Sequence, residues 1–265
     1  MQGQVALVTG GTRGIGLAIG LALARCGVQT TLTHRWGSDD PGVVRAAFAA
    51  EHLLVPDVIE ADVGDAADTE RLMSSLDRRF GRLDIFVSNA CVAARSEGLG
   101  SLRKRDLANV LQRSAWPLVA YNQAIEARFG RVPRVTIAVS SDGAAHFYPG
   151  YDYVAAAKSV LETLVSAEAS RILANGGRIF GLSTRQVDTE SMRRVFAPDT
   201  VDLVLKDFGD FSLDAPAMGD AAVELCSGRL DGLHGQVLLI DKGAGFIDNT
   251  ISILPPVLRR LLEPA

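Results

Sequence analysis

A glycine-rich turn lies between the first apolar run of the chain and its first helical pattern. Residues 5–9 (VALVT) predict a buried strand, and residues 15–26 predict a helix that Gly27 ends. The turn between them reads Thr9-Gly10-Gly11-Thr12-Arg13-Gly14-Ile15-Gly16. Glycines there allow a tight turn and let backbone N–H groups approach a phosphate at the positive end of the helix. The chain therefore begins with a strand-turn-helix unit suited to binding phosphate groups.

Short apolar runs alternate with helical patterns along the rest of the chain. The predicted strands are residues 30–33, 58–61, 83–88, 135–140, 177–182 and 235–240, and the predicted helices are residues 43–50, 66–80, 105–128 and 153–173. This alternation predicts right-handed crossovers and a doubly wound parallel sheet with helices on both faces. A chain of 265 residues that is 48% hydrophobic suits one such α/β domain.

Two segments depart from the alternation. Periodicity weakens over residues 188–218, which predicts a mobile substrate loop over a ligand cleft within the domain formed by residues 1–250. Residues 251–265 form an apolar tail that is too short to span a membrane. We expect this tail to lie at a subunit interface or to cover the pocket.

Composition and charge exclude several classes of function. The net charge is −4 and no block of Lys or Arg dominates any stretch, so we expect no nucleic-acid partner. No apolar run approaches the length of a membrane span, so we expect a soluble, cytoplasmic protein with no membrane partner. The three cysteines and four histidines have no metal-ligand spacing, so we expect no metal.

The TGxxxGIG spacing of residues 9–16 resembles the short-chain dehydrogenase/reductase superfamily, which implies a Rossmann-type, single-domain fold. Further landmarks follow in order: Asp62-Val63 after the third strand, Ser88-Asn89-Ala90-Cys91 after the fourth, Ser140-Ser141 after the fifth, and Thr189. The resemblance extends over residues 3–245. It implies that the cofactor contacts are Gly10, Thr12, Arg13, Gly14, Ile15, Gly16, Arg35, Asp62, Val63, Asn89, Ala90, Lys158 and Thr189.

The end of the second predicted strand favours NADPH over NADH. An acidic residue there would repel a 2′-phosphate, whereas an arginine accommodates one. The sequence reads Thr33-His34-Arg35-Trp36, with no carboxylate before Asp39, and Arg13 adds a second cation.

The expected proton donor for carbonyl reduction is missing. Superfamily members usually carry a serine, a tyrosine and a lysine, with the tyrosine four residues before the lysine. Ser141 and Lys158 have the usual separation, but Val154 occupies the tyrosine's position. Tyr151, seven residues before Lys158, is close to two helical turns away and can face the same cleft, whereas Tyr153 points about 140° away.

The Tyr-x6-Lys spacing resembles the enoyl-acyl-carrier-protein reductases of this superfamily. That resemblance implies that Tyr151 stabilises an enolate, that Lys158 binds the cofactor ribose, and that Ser141 assists or shapes the pocket. The alternative is that Tyr151 belongs only to a hydrophobic wall.

Other positions depart from the superfamily pattern. Ser114 stands near the position of the asparagine that organises a proton relay. Arg185 lies where Pro-Gly is usual, and could meet a substrate anion, the cofactor pyrophosphate or a surface carboxylate.

Three functions remain open from the sequence. We favour an NADPH-dependent reductase that acts on the C=C bond of an acyl chain, with a small-molecule or carrier-protein thioester as substrate. The alternatives are an atypical ketoreductase for a β-keto or natural-product intermediate, and a non-catalytic NADPH-binding protein. The superfamily resemblance also implies a homodimer or homotetramer.

Overall fold

Seven parallel strands form one sheet in the order β3-β2-β1-β4-β5-β6-β7. This computed structural model describes residues 1–35, 40–146, 148–185, 187–196, 201 and 213–243. The strands are β1 (Val5–Val8), β2 (Gln29–His34), β3 (Asp57–Glu60), β4 (Ile85–Ser88), β5 (Val135–Val139), β6 (Arg178–Thr184) and β7 (Val237–Ile240). The strand order reverses between β1 and β4, which is where a doubly wound sheet opens a crevice for a ligand.

Helices cover both faces of the sheet. They are α1 (Gly14–Arg25), α2 (Pro41–Ala50), α3 (Ala66–Phe80), α4 (Lys104–Ser114), α5 (Pro117–Phe129), α6 (Asp152–Ala174), α7 (Glu190–Val195) and α8 (Ala215–Cys226). One core packs α1, α2 and α8 against the sheet, and the other packs α3, α5 and α6. Side chains of β1 alternate between the cores, with Ala6 and Val8 in the first and Val5 and Leu7 in the second. The predicted doubly wound, single-domain fold is confirmed.

The single helix predicted over residues 105–128 is wrong. The structure has two helices there, with α4 ending at Ser114 and α5 beginning at Pro117. Proline has no N–H to donate, and its ring clashes with the carbonyl four residues earlier, so a continuous helix cannot pass through Pro117.

The segment predicted as a substrate loop contains helix α7 and the start of helix α8, neither of which was predicted. Residues 197–200 and 202–212 of that segment lie outside the described residues, as does the predicted tail of residues 251–265. In the described part of the chain, no helix combines the length and hydropathy needed to cross a membrane.

Helices α1 and α8 approach so closely that a glycine is required at their contact. A Cβ atom on Gly219 of α8 would lie 2.7 Å from the Ala18 carbonyl oxygen and 3.0 Å from the Ala22 Cβ of α1. Both neighbours belong to a helix, so neither can move alone. Gly219 therefore sets the distance between α1 and α8, which pack side by side on the sheet.

We expect Gly219→Ala to destabilise the protein, although alanine is the better helix former. Overpacking should cost about 1–3 kcal/mol and outweigh the gain in helix propensity. Thermal unfolding followed by circular dichroism measures the effect. Gly232→Ala is the matched control, because no atom lies within 4 Å of the added methyl group there. Equal melting temperatures for the two variants would contradict the packing argument.

Candidate active site

A cleft of about 1350 Å³ opens at the carboxyl ends of the parallel strands. Every residue predicted from the sequence to bind cofactor or to take part in chemistry lines it. They are Gly10, Thr12, Arg13, Gly14, Ile15, Gly16, Arg35, Asp62, Val63, Asn89, Ala90, Ser141, Tyr151, Lys158 and Thr189. Parallel strands bring these positions together because all their carboxyl ends meet at one edge of the sheet.

The glycine-rich turn is held by Asn89 at the end of β4. The Asn89 side-chain amide donates to the carbonyl oxygens of Thr9 at 2.9 Å and Gly10 at 3.0 Å. A Cβ on Gly16 would lie 2.5 Å from that amide nitrogen and 2.4 Å from the Gly10 oxygen. Gly10 also has a φ of +62°, which side chains rarely adopt. Asn89 thus fixes the turn as well as lining the cleft.

The amino-terminal end of α1 is chemically suited to a pyrophosphate. No side chain caps its first N–H groups, and no acidic residue lies in its first turn. These donors and the helix dipole attract an anion into the cleft. This helix end lies in the cleft beside Gly10, Gly14 and Gly16, and the arrangement fits a dinucleotide cofactor.

Helix α7 closes against the same turn. Arg13 forms an ion pair with Glu190, the first residue of α7, and a Cβ on Gly14 would lie 3.5 Å from the Thr189 Cγ2. The predicted cofactor contact Thr189 caps α7 by accepting a hydrogen bond from Met192 N. The cap therefore explains why a threonine suits that position apart from any cofactor contact.

A network of charges forms the other end of the cleft, around the buried Asp62. Its carboxylate lies 2.8 Å from Arg35 and 3.0 Å from Arg113, and it accepts a hydrogen bond from Gly64 N at 2.8 Å. Burial acts to raise the pKa of Asp62, but the Gly64 hydrogen bond and the two arginines outweigh it and hold that pKa below its usual range. The sequence reasoning missed Arg113, because no local pattern connects α4 with the end of β3.

Lys158 lies buried in the middle of the cleft. Its ammonium donates to the Val139 carbonyl oxygen at 2.6 Å, at the end of β5, and only 5% of the residue is exposed. This bond points the ammonium at the edge of the sheet where the strands end. An ammonium held there can meet the hydroxyl groups of a bound ribose.

Tyr151 lies just before the first turn of α6 and lines the cleft. Its ring lies on Gly143, where a Cβ would come within 2.5 Å of the ring carbon Cε1. The ring also stacks on Phe196, with centroids 5.6 Å apart. Burial raises the pKa of the phenol, the neighbouring Cys91 raises it further, and the nearby Ser141 hydroxyl opposes them. The phenol stays protonated and can donate a hydrogen bond or a proton.

Tyr153 and Val154, in the first turn of α6, have different surroundings. Tyr153 turns away from the cleft, where its hydroxyl accepts a hydrogen bond from Arg103 N at 2.8 Å. Val154 lines the cleft. The position from which a tyrosine would serve carbonyl reduction is therefore occupied by an apolar side chain. Ser114 accepts a hydrogen bond from Val92 N and is not part of the cleft lining.

Three polar side chains that the sequence reasoning did not group together form a cluster beside Tyr151. The buried Asp142 carboxylate accepts hydrogen bonds from the Tyr148 hydroxyl at 2.5 Å and from Arg185 Nε at 3.1 Å. Burial first, and then the hydrogen bond to Asp142, raise the pKa of Tyr148 to about 12. The sequence left a substrate anion, the cofactor pyrophosphate and a surface carboxylate as partners for Arg185. In the structure Arg185 pairs with the carboxylate of Asp142, which is buried in the cleft wall.

Among the described residues, no group of His, Cys, Asp and Glu side chains could hold a metal ion.

A family model described as enoyl-(acyl carrier protein) reductase matches residues 10–245. The chain belongs to this family of short-chain dehydrogenase/reductases. It is therefore an oxidoreductase. Curated members with different reactions match it to a similar degree.

Gluconate 5-dehydrogenase from Gluconobacter oxydans is 28% identical over 92% of this chain and 95% of its own length. An NADH-dependent enoyl-[acyl-carrier-protein] reductase from Buchnera aphidicola is 25% identical over 89% of this chain and 93% of its own. Among solved structures, a short-chain dehydrogenase from Burkholderia cenocepacia in complex with NADP has a TM-score of 0.80 at 24% identity, covering 92% of this chain and 98% of that one. This last likeness is one of fold.

We expect Lys158→Met to weaken binding of a nicotinamide dinucleotide about 10-fold or more, because a hydrogen bond to a charged group is lost. Methionine fills similar space, so thermal stability should change little. Fluorescence titration with NADPH measures the dissociation constant. Lys104→Met, at an exposed position on α4, is the matched control. An unchanged constant in Lys158→Met would contradict a role in ribose binding.

Proposed function

We propose that the protein reduces the C=C bond of an α,β-unsaturated acyl thioester with NADPH as the hydride source. The observation that carries the proposal is the arrangement at the start of α6. Val154 lines the cleft at the usual donor position, while Tyr151 lies one turn earlier and stays protonated. A donor displaced in this way suits a reaction in which the oxygen that gains charge is itself displaced from the reacting carbon.

The proposed reaction assigns a task to each residue. When bound, the nicotinamide supplies a hydride to the β-carbon of the substrate. Negative charge then develops on the thioester oxygen, which accepts a hydrogen bond from the Tyr151 hydroxyl, and a proton from solvent adds to the α-carbon to complete the reduction. Ser141, whose hydroxyl lies against Gly143 next to the Tyr151 ring, shapes this part of the pocket. Lys158 contributes a positive charge and holds the ribose in place.

The apolar part of the cleft lining supports an acyl substrate. Apolar side chains from three segments of the chain line the cleft, and one of them, Phe196, stacks on Tyr151; they are Val92, Val187, Met192, Val195 and Phe196. An acyl chain buries apolar surface against such walls, whereas a polyol would lose hydrogen bonds to water there.

Two arginines support NADPH. Arg13 lies in the glycine-rich turn and Arg35 at the end of β2, and both line the cleft. Their charges are shared with Glu190 and Asp62, respectively, so a 2′-phosphate has to compete with these carboxylates. Relatives of both preferences are known, since the enoyl reductase from Buchnera aphidicola uses NADH and the Burkholderia cenocepacia structure contains NADP.

Carbonyl reduction is the second candidate. The observation that favours it is that the Tyr151 ring and the Ser141 hydroxyl both lie against Gly143, because a serine and a tyrosine side by side in the cleft can both donate to a ketone oxygen. The similarity to gluconate 5-dehydrogenase points the same way. The two reactions differ in where the substrate oxygen lies relative to the carbon that accepts the hydride.

We expect the protein to oxidise NADPH with a crotonyl thioester and not with an acetoacetyl thioester. Absorbance at the nicotinamide band follows the reaction. Oxidation with the acetoacetyl thioester alone would support the ketoreductase instead. Turnover of neither substrate, with NADPH still bound, would contradict both.

Removal of the Tyr151 hydroxyl should abolish most turnover while NADPH binding survives. We expect Tyr151→Phe to lower kcat about 100-fold, which is typical of losing one donor to a developing oxyanion. Tyr153→Phe is the matched control, because that hydroxyl bonds Arg103 N away from the cleft. Equal kcat in the two variants would remove Tyr151 from the reaction.

Arg35→Gln should reduce the preference for NADPH over NADH about 10-fold, because a charge-assisted hydrogen bond to the 2′-phosphate is lost. Titration of each variant with both dinucleotides gives the ratio of dissociation constants. Arg25→Gln is the control, since this exposed arginine pairs with Glu51 and does not line the cleft. An unchanged ratio in Arg35→Gln would contradict a 2′-phosphate contact.

A further inference from the structure

A buried carboxylate stands beside the proposed proton donor, and the reaction does not use it. Asp142 follows Ser141 directly, and only 2% of its side chain is exposed. The Tyr151 ring lies on the next residue, Gly143. Tyr148, which bonds Asp142, meets the Tyr151 ring edge-on with centroids 6.3 Å apart. Asp142 therefore holds Tyr148 against Tyr151.

The same carboxylate is an electrostatic problem for catalysis. Negative charge that develops on a substrate oxygen near Tyr151 would be repelled by the buried Asp142 carboxylate, whose charge already acts to raise the pKa of Tyr151. Salt and solvent screen a buried charge much less than an exposed one. A site that stabilises an oxyanion there must cancel the charge of Asp142.

Arg185 has the position needed to cancel it. Its Nε lies 3.1 Å from Asp142 Oδ2, and 17% of the arginine side chain is exposed. Among the described side chains, the Tyr148 hydroxyl and the His146 ring also lie at this carboxylate, and His146 Nδ1 is 4.0 Å from the same oxygen. A tyrosine hydroxyl is neutral, and 59% of the His146 side chain is exposed, so the guanidinium is the permanent countercharge.

We propose that Arg185 is a positioning residue that neutralises Asp142, so that the carboxylate can hold Tyr148 against Tyr151 without opposing an oxyanion at Tyr151. The inference rests on the proposed function only in that Tyr151 meets a developing oxyanion, which is common to C=C and C=O reduction. Asp142 and Arg185 have no task in the proposed reaction, and the proposal assigns them one together.

A double-mutant cycle tests the effect on chemistry. Arg185→Met leaves Asp142 uncompensated, and we expect kcat to fall about 10-fold or more while KM changes less than about threefold. Adding Asp142→Asn removes the repulsive charge, so the double variant should recover most of the lost kcat. A double variant as slow as Arg185→Met would overturn the proposal, because it would mean that Arg185 acts on the substrate directly.

A second cycle needs no substrate. In Arg185→Met the uncompensated carboxylate favours taking up a proton when the protein folds, so the deficit in melting temperature should grow from pH 5 to pH 8. We expect a deficit of about 5 °C or more at pH 8, and its pH dependence should vanish in the double variant. Because the His146 ring lies 4.0 Å from the same carboxylate, the cycle is run in a His146→Gln background and each deficit is measured against His146→Gln protein. A deficit that is independent of pH would overturn the proposal.

Arg25→Met is the matched control for both cycles, since its ion pair with Glu51 is exposed and lies outside the cleft. It should leave kcat unchanged and shift the melting temperature little. If wild-type protein turns over neither thioester, the proposed function fails, and the stability cycle still decides whether Arg185 neutralises Asp142.

Discussion

The hydrogen bonds of Asn89 connect the two strands between which the sheet order reverses. Its amide donates to the carbonyl oxygens of Thr9 and Gly10, and Thr9 Oγ1 accepts from the backbone nitrogens of Asn89 and Ala90. These bonds close the end of β4 onto the glycine-rich turn after β1. This contact positions the glycine-rich turn and the uncapped end of α1 that follows it. It also positions the chain that leaves β4 after Ala90.

Buried charge is distributed along the cleft in compensated groups. At one end Asp62 is matched by two arginines, and at the other Asp142 is matched by Arg185. Burial of a carboxylate without such partners costs several kcal/mol, so each group is as much a condition for folding as a feature of binding. Between the two ends, Lys158 is held by a backbone carbonyl, which leaves its positive charge available within the cleft.

Much of the site could be predicted because its residues follow strands directly. In a doubly wound sheet every strand ends at the same edge, so Asp62, Asn89 and Ser141 meet once the strands are recognised. Arg113, Tyr148 and Phe196 could not be found in this way, since a helix end and loop segments bring them to the cleft. The break between α4 and α5 was missed because the helical periodicity of the flanking segments outweighed the single signal from Pro117.

The sequence by itself determined the alternation of strands and helices, the glycine-rich turn and the absence of a tyrosine at Val154, because each depends on local spacing. The tertiary structure decided which tyrosine faces the cleft: Tyr153 is held away by Arg103 N, and Tyr151 lies over Gly143. It also decided that Arg185 meets Asp142, which lies 43 residues away along the chain. Such pairings depend on how loops from different strands fold over the edge of the sheet. The spacing of residues within one helix or strand does not predict them.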